Sequence, residues 1–117
     1  MQDFKKLIVW QKSHLLTLEI YSASKKFPNN ELFGLTSQLR RAASSVPANI
    51  AEGSGRKSTS EFAHFLAIAI GSLSEVEYFL ILATDLNYLS KNEFQRINAL
   101  ANETKRMLIS LINRVKK

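Results

Sequence analysis

Residues 38–56, QLRRAASSVPANIAEGSGR, carry two stripes of side chains that recur at helical spacing. The first stripe is polar and advances in steps of three or four residues: Gln38, Arg41, Ser45, Asn49, Glu52 and Arg56. The second is apolar and advances in the same way: Leu32, Leu35, Leu39, Ala43, Val46, Ile50 and Gly53. At about 100° per residue each stripe occupies one side of a helix. The stretch therefore predicts a helix with a core face and, beside it, an ordered polar face.

The polar stripe has two interpretations. Amides and an Arg–Glu combination suit fixed hydrogen bonding better than a stripe of Lys and Glu would. We therefore predict a largely buried or interfacial polar network of Gln38, Arg41, Asn49 and Glu52, with both charged groups in charge-assisted hydrogen bonds. An ordinary solvated face opposite the core is the alternative.

Periodicity and end signals predict three helices besides this one, which is the second of four. The first runs from about Lys5 to Lys26 and the fourth from Lys91 to about Lys116, while the second is expected from near Asn30 to Gly53–Gly55. Two Ser-x-x-Glu capping boxes, at Ser58 and Ser90, start the third and fourth helices. Short loops between four such helices predict one all-α domain over residues 1–117, an antiparallel up-down four-helix bundle.

The third helix is apolar on more sides than an isolated bundle can bury. Besides its main seam it carries a second apolar direction, which we predict to form an oligomer interface: Phe65, Ile68, Phe79 and Leu82. Singly exposed apolar residues are normal, however, so scattered surface positions are the alternative.

Charge is distributed unevenly along the chain. The net charge is +6, but residues 1–57 carry nine Lys/Arg against four Asp/Glu, residues 58–90 none against four, and residues 91–117 seven against two. An acidic segment between two basic ones suits contacts within the fold, between subunits or with an anionic partner.

Several classes of function are not supported by the residues. The chain has no cysteine, and its one Glu-x-x-His motif, Glu61 to His64, lacks the second motif that a di-iron bundle needs. The sequence shows no known arrangement of a nucleophile, a base and an orienting group. We therefore predict no enzyme, no metal and no cofactor. The longest uncharged region, residues 65–74, is short for a membrane span, and the N-terminus lacks a signal-peptide pattern. A cytoplasmic protein without a membrane partner is expected.

Several motifs together resemble one family. They are Val9-Trp10-Gln11-Lys12, Phe27-Pro28, Phe33-Gly34-Leu35, residues 38–42 (QLRRA) and residues 49–53 (NIAEG). The chain is similar over nearly its whole length to the four-helix-bundle proteins encoded in intervening sequences of bacterial 23S ribosomal RNA. That resemblance implies a four-helix bundle and a homo-oligomer, a pentamer by analogy with a similar bundle that engages nucleic acid. It implies no settled biochemical activity.

Nucleic-acid binding is the leading functional hypothesis. Phosphate contacts without strong sequence preference are expected, to RNA or DNA, from these residues: Lys5, Lys6, Arg56, Lys57, Arg114, Lys116 and Lys117. The alternative is a protein-interaction scaffold that presents a docking face to a partner protein, with its charges serving solubility and subunit register.

Overall fold

The computed structural model describes residues 3–116, which form four long helices. These are α1 (Ile8–Ser24), α2 (Leu35–Ser54), α3 (Thr59–Asp85) and α4 (Lys91–Val115), with short 3₁₀ turns at Phe4–Lys6 and Asn29–Glu31. Each long helix packs against two neighbours in the order α1, α2, α3, α4 and back to α1, within a body of 43 × 24 × 20 Å. The predicted all-α, up-down four-helix bundle is confirmed.

The core is the seam where the four apolar stripes meet. Its largest fully buried side chains include Leu16, Ile20, Leu39, Ile50, Leu66, Leu73, Leu80, Ile97 and Leu108. The α2–α3 pair has the most extensive contact. Gly53 allows this close approach, because a Cβ added there would lie 2.8 Å from the Cβ of Phe65.

Pro47 lies inside α2, as the sequence predicts, and it is buried. A proline has no N–H, so the carbonyl of Ala43, four residues earlier, loses its usual helical donor. The hydroxyl of Thr17 on α1 lies 3.1 Å from that carbonyl and 2.9 Å from the Ser13 carbonyl of its own helix, so its single proton is shared between the two. A side chain of the neighbouring helix thus partly replaces the missing backbone hydrogen bond.

Two helices begin later than predicted. The backbone at Gly34 (φ −113°, ψ −114°) leaves the helical region, so α2 begins at Leu35 rather than near Asn30. Leu32 consequently lies in a turn, 48% exposed, and not on the apolar stripe. Helix α1 begins at Ile8, since Lys5 and Lys6 belong to the preceding 3₁₀ turn.

The two predicted capping boxes differ. At Ser90 the box is complete: the Glu93 N–H donates to the Ser90 hydroxyl at 3.1 Å and the Ser90 N–H to the Glu93 carboxylate at 3.3 Å. At Ser58 only the first bond forms, with the Glu61 N–H donating at 3.1 Å. The Glu61 carboxylate accepts from the Ser58 hydroxyl at 3.1 Å and lies 3.9 Å from Arg56.

Helix α3 is long and apolar enough to cross a membrane by length and composition, with a mean hydropathy of 1.8 over its most apolar window. The sequence analysis considered only the uncharged run of residues 65–74, which is followed by Glu75, and so did not recognise how apolar the whole helix is. Leu66, Leu73 and Val76 are nevertheless fully buried in the bundle core. Since only 33% of that window is buried, α3 is a core helix that also keeps an apolar outer face.

Candidate nucleic-acid interface

The antiparallel topology brings distant basic residues to one end of the bundle. The start of α1, the end of α2, the start of α3 and the end of α4 all lie there. We call this the basic end, defined by its cations: Lys5, Lys6, Arg56, Lys57, Arg106, Arg114 and Lys116. Lys117, also predicted to contact phosphate, lies outside the described residues.

Most cations of the basic end have no carboxylate partner, whereas half of the cations elsewhere among residues 3–116 have one. At the opposite end Lys26 pairs with Glu93 and Arg96 with Glu19. Along the bundle, Lys12 lies 3.4 Å from Glu103. Within residues 3–116 the basic end contributes a single paired cation, Arg56, so its other positive charges are available to an anionic partner.

A groove between the start of α1 and the end of α4 collects three of these cations. It has a volume of about 550 Å³ and includes Lys6, Arg106 and Arg114. Its apolar lining comes from Leu7, Ile8, Val9, Met107 and Leu111. Sequence reasoning left Arg106 out of the site, although its spacing from Ser110 and Arg114, four and eight residues, places all three on one face of α4.

The 3₁₀ turn that carries Lys5 and Lys6 is held in place by hydrogen bonds. The Asp3 carboxylate accepts from the Lys5 N–H at 3.1 Å, and the Gln11 side-chain amide donates to the Lys5 carbonyl at 2.9 Å. Beneath it the Phe4 ring meets the Trp10 ring edge-on at 5.1 Å. Two neighbouring lysines are therefore presented on an ordered turn.

Arg56 is less available than the sequence suggests. Its guanidinium lies 2.7 Å from the Glu52 carboxylate and 3.9 Å from that of Glu61, and it stacks over the Phe65 ring at 4.7 Å. These contacts offset its charge. Lys57, exposed and without an ion pair among the described residues, is the better phosphate ligand of this loop.

The predicted polar network is not buried within the chain, and that part of the prediction is wrong. Gln38, Arg41 and Glu52 are exposed, while Asn49 is half-buried and donates to the Ser45 carbonyl at 2.8 Å. The stripe lies at the edge of the α2–α3 contact: Ser45 meets Ser72 of α3 at 2.9 Å and Arg56 meets Glu61 at 3.9 Å, while the longer side chains between them stay exposed. Glu52 pairs with Arg56 at 2.7 Å, whereas Arg41 forms no ion pair among residues 3–116, so the bond predicted for Arg41 is not made within the chain. An interfacial role for the stripe stays a prediction.

The four predicted interface residues lie on the outer part of α3. Phe65, Phe79 and Leu82 are half-buried and Ile68 is 39% exposed. A residue that sequence reasoning missed is more exposed than any of them: Phe33, in the turn before α2, is 94% exposed. Sequence reasoning placed Leu32 inside a continuous helix and therefore did not identify the turn in which Phe33 is exposed. We call this turn the Phe33 corner.

The two histidines both lie beside aromatic rings. Within residues 3–116 no three His, Cys, Asp or Glu side chains come together in a way that could hold a metal ion. His14 stacks on Trp10 at 5.1 Å, and His64 meets Phe65 edge-on at 5.6 Å. His64 also lines a groove with Thr59 and Ser60.

These features define a small all-α protein whose described residues offer charged and apolar surfaces. The chain belongs to the family of 23S rRNA-intervening sequence proteins, whose pattern matches residues 5–110. The fold is similar to the crystal structure of a protein of unknown function from the S23 ribosomal protein family of Bacteroides thetaiotaomicron VPI-5482. The two chains are 30% identical with a TM-score of 0.84, over 91% of this chain and 96% of the other. The comparison with curated proteins gives no match.

Proposed function

We propose that this chain is a non-enzymatic, cytoplasmic protein that assembles into a homo-oligomer and binds RNA or DNA through the basic end, without strong sequence preference. The observation that carries the proposal is the group of cations at that end that have no ion pair among residues 3–116. The family resemblance favours a pentamer.

Phosphate contacts explain how such a surface binds without a recognition motif. Each cation that neutralises a phosphate releases condensed counterions, and this contribution does not depend on base sequence. Repetition of the basic end around an oligomer multiplies a modest attraction by avidity. The name of the family refers to 23S rRNA, and the matched solved structure to a ribosomal protein family, which agrees with a nucleic-acid partner.

A protein-interaction scaffold is the second candidate, and a specific observation favours it. The outer face of α3 and the Phe33 corner expose large apolar side chains, among them Tyr78 at 56% and Ile81 at 47%. Apolar surface of this kind is typical of protein docking. In that case the cations would serve solubility and subunit register.

Salt dependence of binding separates the two candidates. We expect log affinity for unrelated RNA and DNA fragments to fall linearly with log salt, by roughly 0.7 per contacted phosphate on single strands and 0.9 on duplex DNA. Lys6→Ala and Arg114→Ala should each reduce that slope by about the amount that one phosphate contact contributes. Lys25→Ala is the matched control, because Lys25 is exposed at the opposite end of the bundle.

Two results would contradict nucleic-acid binding. One is the failure of all fragments to bind at roughly 50 mM salt. The other is a slope of log affinity against log salt that Lys25→Ala reduces as much as Lys6→Ala does. Either result would leave the scaffold as the better account.

A further inference from the structure

The groove between the start of α1 and the end of α4 combines positive charge with an apolar lining. We call it the α1–α4 groove, defined by six of its lining residues: Lys6, Ile8, Arg106, Met107, Ser110 and Arg114. Its three cations are exposed, and none of them forms an ion pair within residues 3–116. None of the described residues that line it is Asp or Glu. The groove therefore favours a ligand that carries both negative charge and apolar surface.

Ile8 is the part of the apolar lining that the fold does not bury. Its side chain is 61% exposed, whereas Val9 and Leu111, which also line the groove, belong to the core and are at most 9% exposed. Leu7 and Met107 are half-buried against that core. A ligand that covers Ile8 removes apolar surface from water, which is favourable by about 25 cal/mol per Å².

The cations are spaced along the groove and are not gathered at one point. Arg106 and Arg114 are eight residues apart on α4, about 12 Å along the helix axis. Consecutive phosphates of a strand in B-form geometry are only about 3.4 Å apart along the axis, so the two guanidinium groups reach different phosphates. Lys6 approaches from the ordered turn before α1. Three positive groups can thus follow one strand past the groove.

A single strand uses both parts of this groove, whereas a duplex does not. In a duplex the bases stack inside and the charged backbone faces outward, so phosphates would lie against the apolar lining. In a single strand, a base can leave the stack and lie on an apolar surface or an arginine plane while the neighbouring phosphates meet cations.

We propose that the α1–α4 groove binds single-stranded RNA or DNA, with an unstacked base against Ile8 and the flanking phosphates on the three cations. This inference rests on the proposed function and adds to it the state of the strand that is bound.

An acidic amphipathic helix of a partner protein is the other ligand that carries negative charge and apolar surface. Ser110 favours the nucleic acid. It is exposed between Arg106 and Arg114, and its hydroxyl both donates and accepts hydrogen bonds. Base edges present donors as well as acceptors, whereas ionised carboxylates only accept, so a base uses Ser110 more fully.

Abasic DNA separates base contacts from phosphate contacts. Three probes of equal length are compared at one salt concentration: oligo-dT, a strand with the same backbone but without bases, and a DNA duplex. We expect the full chain to bind oligo-dT roughly tenfold more tightly than the abasic strand, the effect of covering about 60 Å² of apolar surface. The duplex binds by charge alone, so its affinity should not depend on Ile8. Oligo-U in a parallel measurement distinguishes RNA from DNA as the source of the strand.

Ile8→Ser tests the apolar contact, and Leu18→Ser is the matched control because Leu18 is 54% exposed on the same helix, outside the groove. We expect Ile8→Ser to weaken binding of the intact strand roughly tenfold and to leave binding of the abasic strand and the duplex unchanged. Because a neutral residue releases no counterions, the slope of log affinity against log salt should also stay unchanged. Leu18→Ser should alter none of these values. Circular dichroism and light scattering of both variants check that fold and assembly are retained.

The outcomes distinguish this inference from the proposed function. Failure of every oligonucleotide to bind would overturn both, and binding of an acidic amphipathic peptide in their place would assign the groove to a protein partner. Equal, salt-dependent affinities for oligo-dT and the abasic strand would leave the proposed function intact and overturn the single-strand site. The same conclusion would follow if Ile8→Ser weakened binding of the intact strand no more than Leu18→Ser does.

Discussion

Thr17 is the residue whose side chain partly replaces the helical hydrogen bond that Pro47 removes. Periodicity places Thr17 beside the apolar stripe of α1, but its role depends on which residue of α2 faces it. That partner, the carbonyl of Ala43, is fixed by packing between helices and not by the pattern of either one. The sequence could predict the unsatisfied carbonyl, while its donor required the structure.

Thr17→Val keeps the side-chain shape and removes the hydroxyl. We expect a loss of about 1–3 kcal/mol in the free energy of unfolding, because a buried carbonyl would lose its donor. Thr104→Val is the control: that hydroxyl bonds the Leu100 carbonyl within its own helix, so the change should cost little. Urea denaturation of both variants measures the difference, and equal losses would contradict this role for Thr17.

Glu93 connects the start of α4 to the end of α1. The Lys26 ammonium and then the Ser90 groups hold the pKa of the Glu93 carboxyl below 4.5, its ordinary value, although burial opposes the shift. A pKa lowered by folding means that the folded state favours the ionised form. The resulting stabilisation is present above the unfolded pKa and is lost as the pH falls through the lowered folded pKa.

Glu93→Gln should therefore be less stable than the wild type near pH 7, and the difference should shrink below about pH 4.5. Because Lys26 is 52% exposed, we expect a difference of no more than about 1 kcal/mol. Thermal unfolding from pH 3 to 7 measures it. A difference that grows toward acid would show that the sign is wrong.

At the scale of single elements, helix type and number are predictable from periodicity, whereas helix starts are less so. Strong apolar repeats identified all four long helices. The starts of α1 and α2 were predicted too early, because an apolar residue such as Leu32 can fit the helical pattern although the helix begins only after Gly34. Local hydrogen bonds to Glu31, which decide that boundary, leave no periodic signal.

The glycines of α2 and α3 give a matched pair of tests for how closely the helices pack. Gly53→Ala places a Cβ within 2.8 Å of the Phe65 Cβ, so we expect a loss of about 1–3 kcal/mol from overpacking. Gly71→Ala meets no neighbour, so a gain of about 0.4–1 kcal/mol should follow from the lower entropy of the unfolded chain. Urea denaturation at a dilution that keeps the chain monomeric measures both. A Gly53→Ala protein as stable as Gly71→Ala would contradict the close contact.

At the scale of the whole molecule, the convergence of basic residues depends on topology. Lys6, Lys57 and Arg114 are far apart in sequence, yet an up-down bundle necessarily brings the start of α1 and the ends of α2 and α4 together. The composition therefore indicated a basic surface, and the fold located it. Which cations are already paired, as Arg56 is, depends on side-chain geometry and could not be read from charge counts.

The exposed apolar area of α3 leads to a prediction about the stability of the assembled protein. A single chain leaves most of the apolar window of α3 unburied, so association that covers it would stabilise the folded state by mass action. We expect the melting temperature to rise with protein concentration, with a gain of up to about 1.4 kcal/mol in apparent stability for each tenfold increase. Calorimetry over a hundredfold range of protein concentration measures this dependence. A wild-type melting temperature independent of concentration would mean that the outer face of α3 stays open to solvent and that the bundle acts as a single chain.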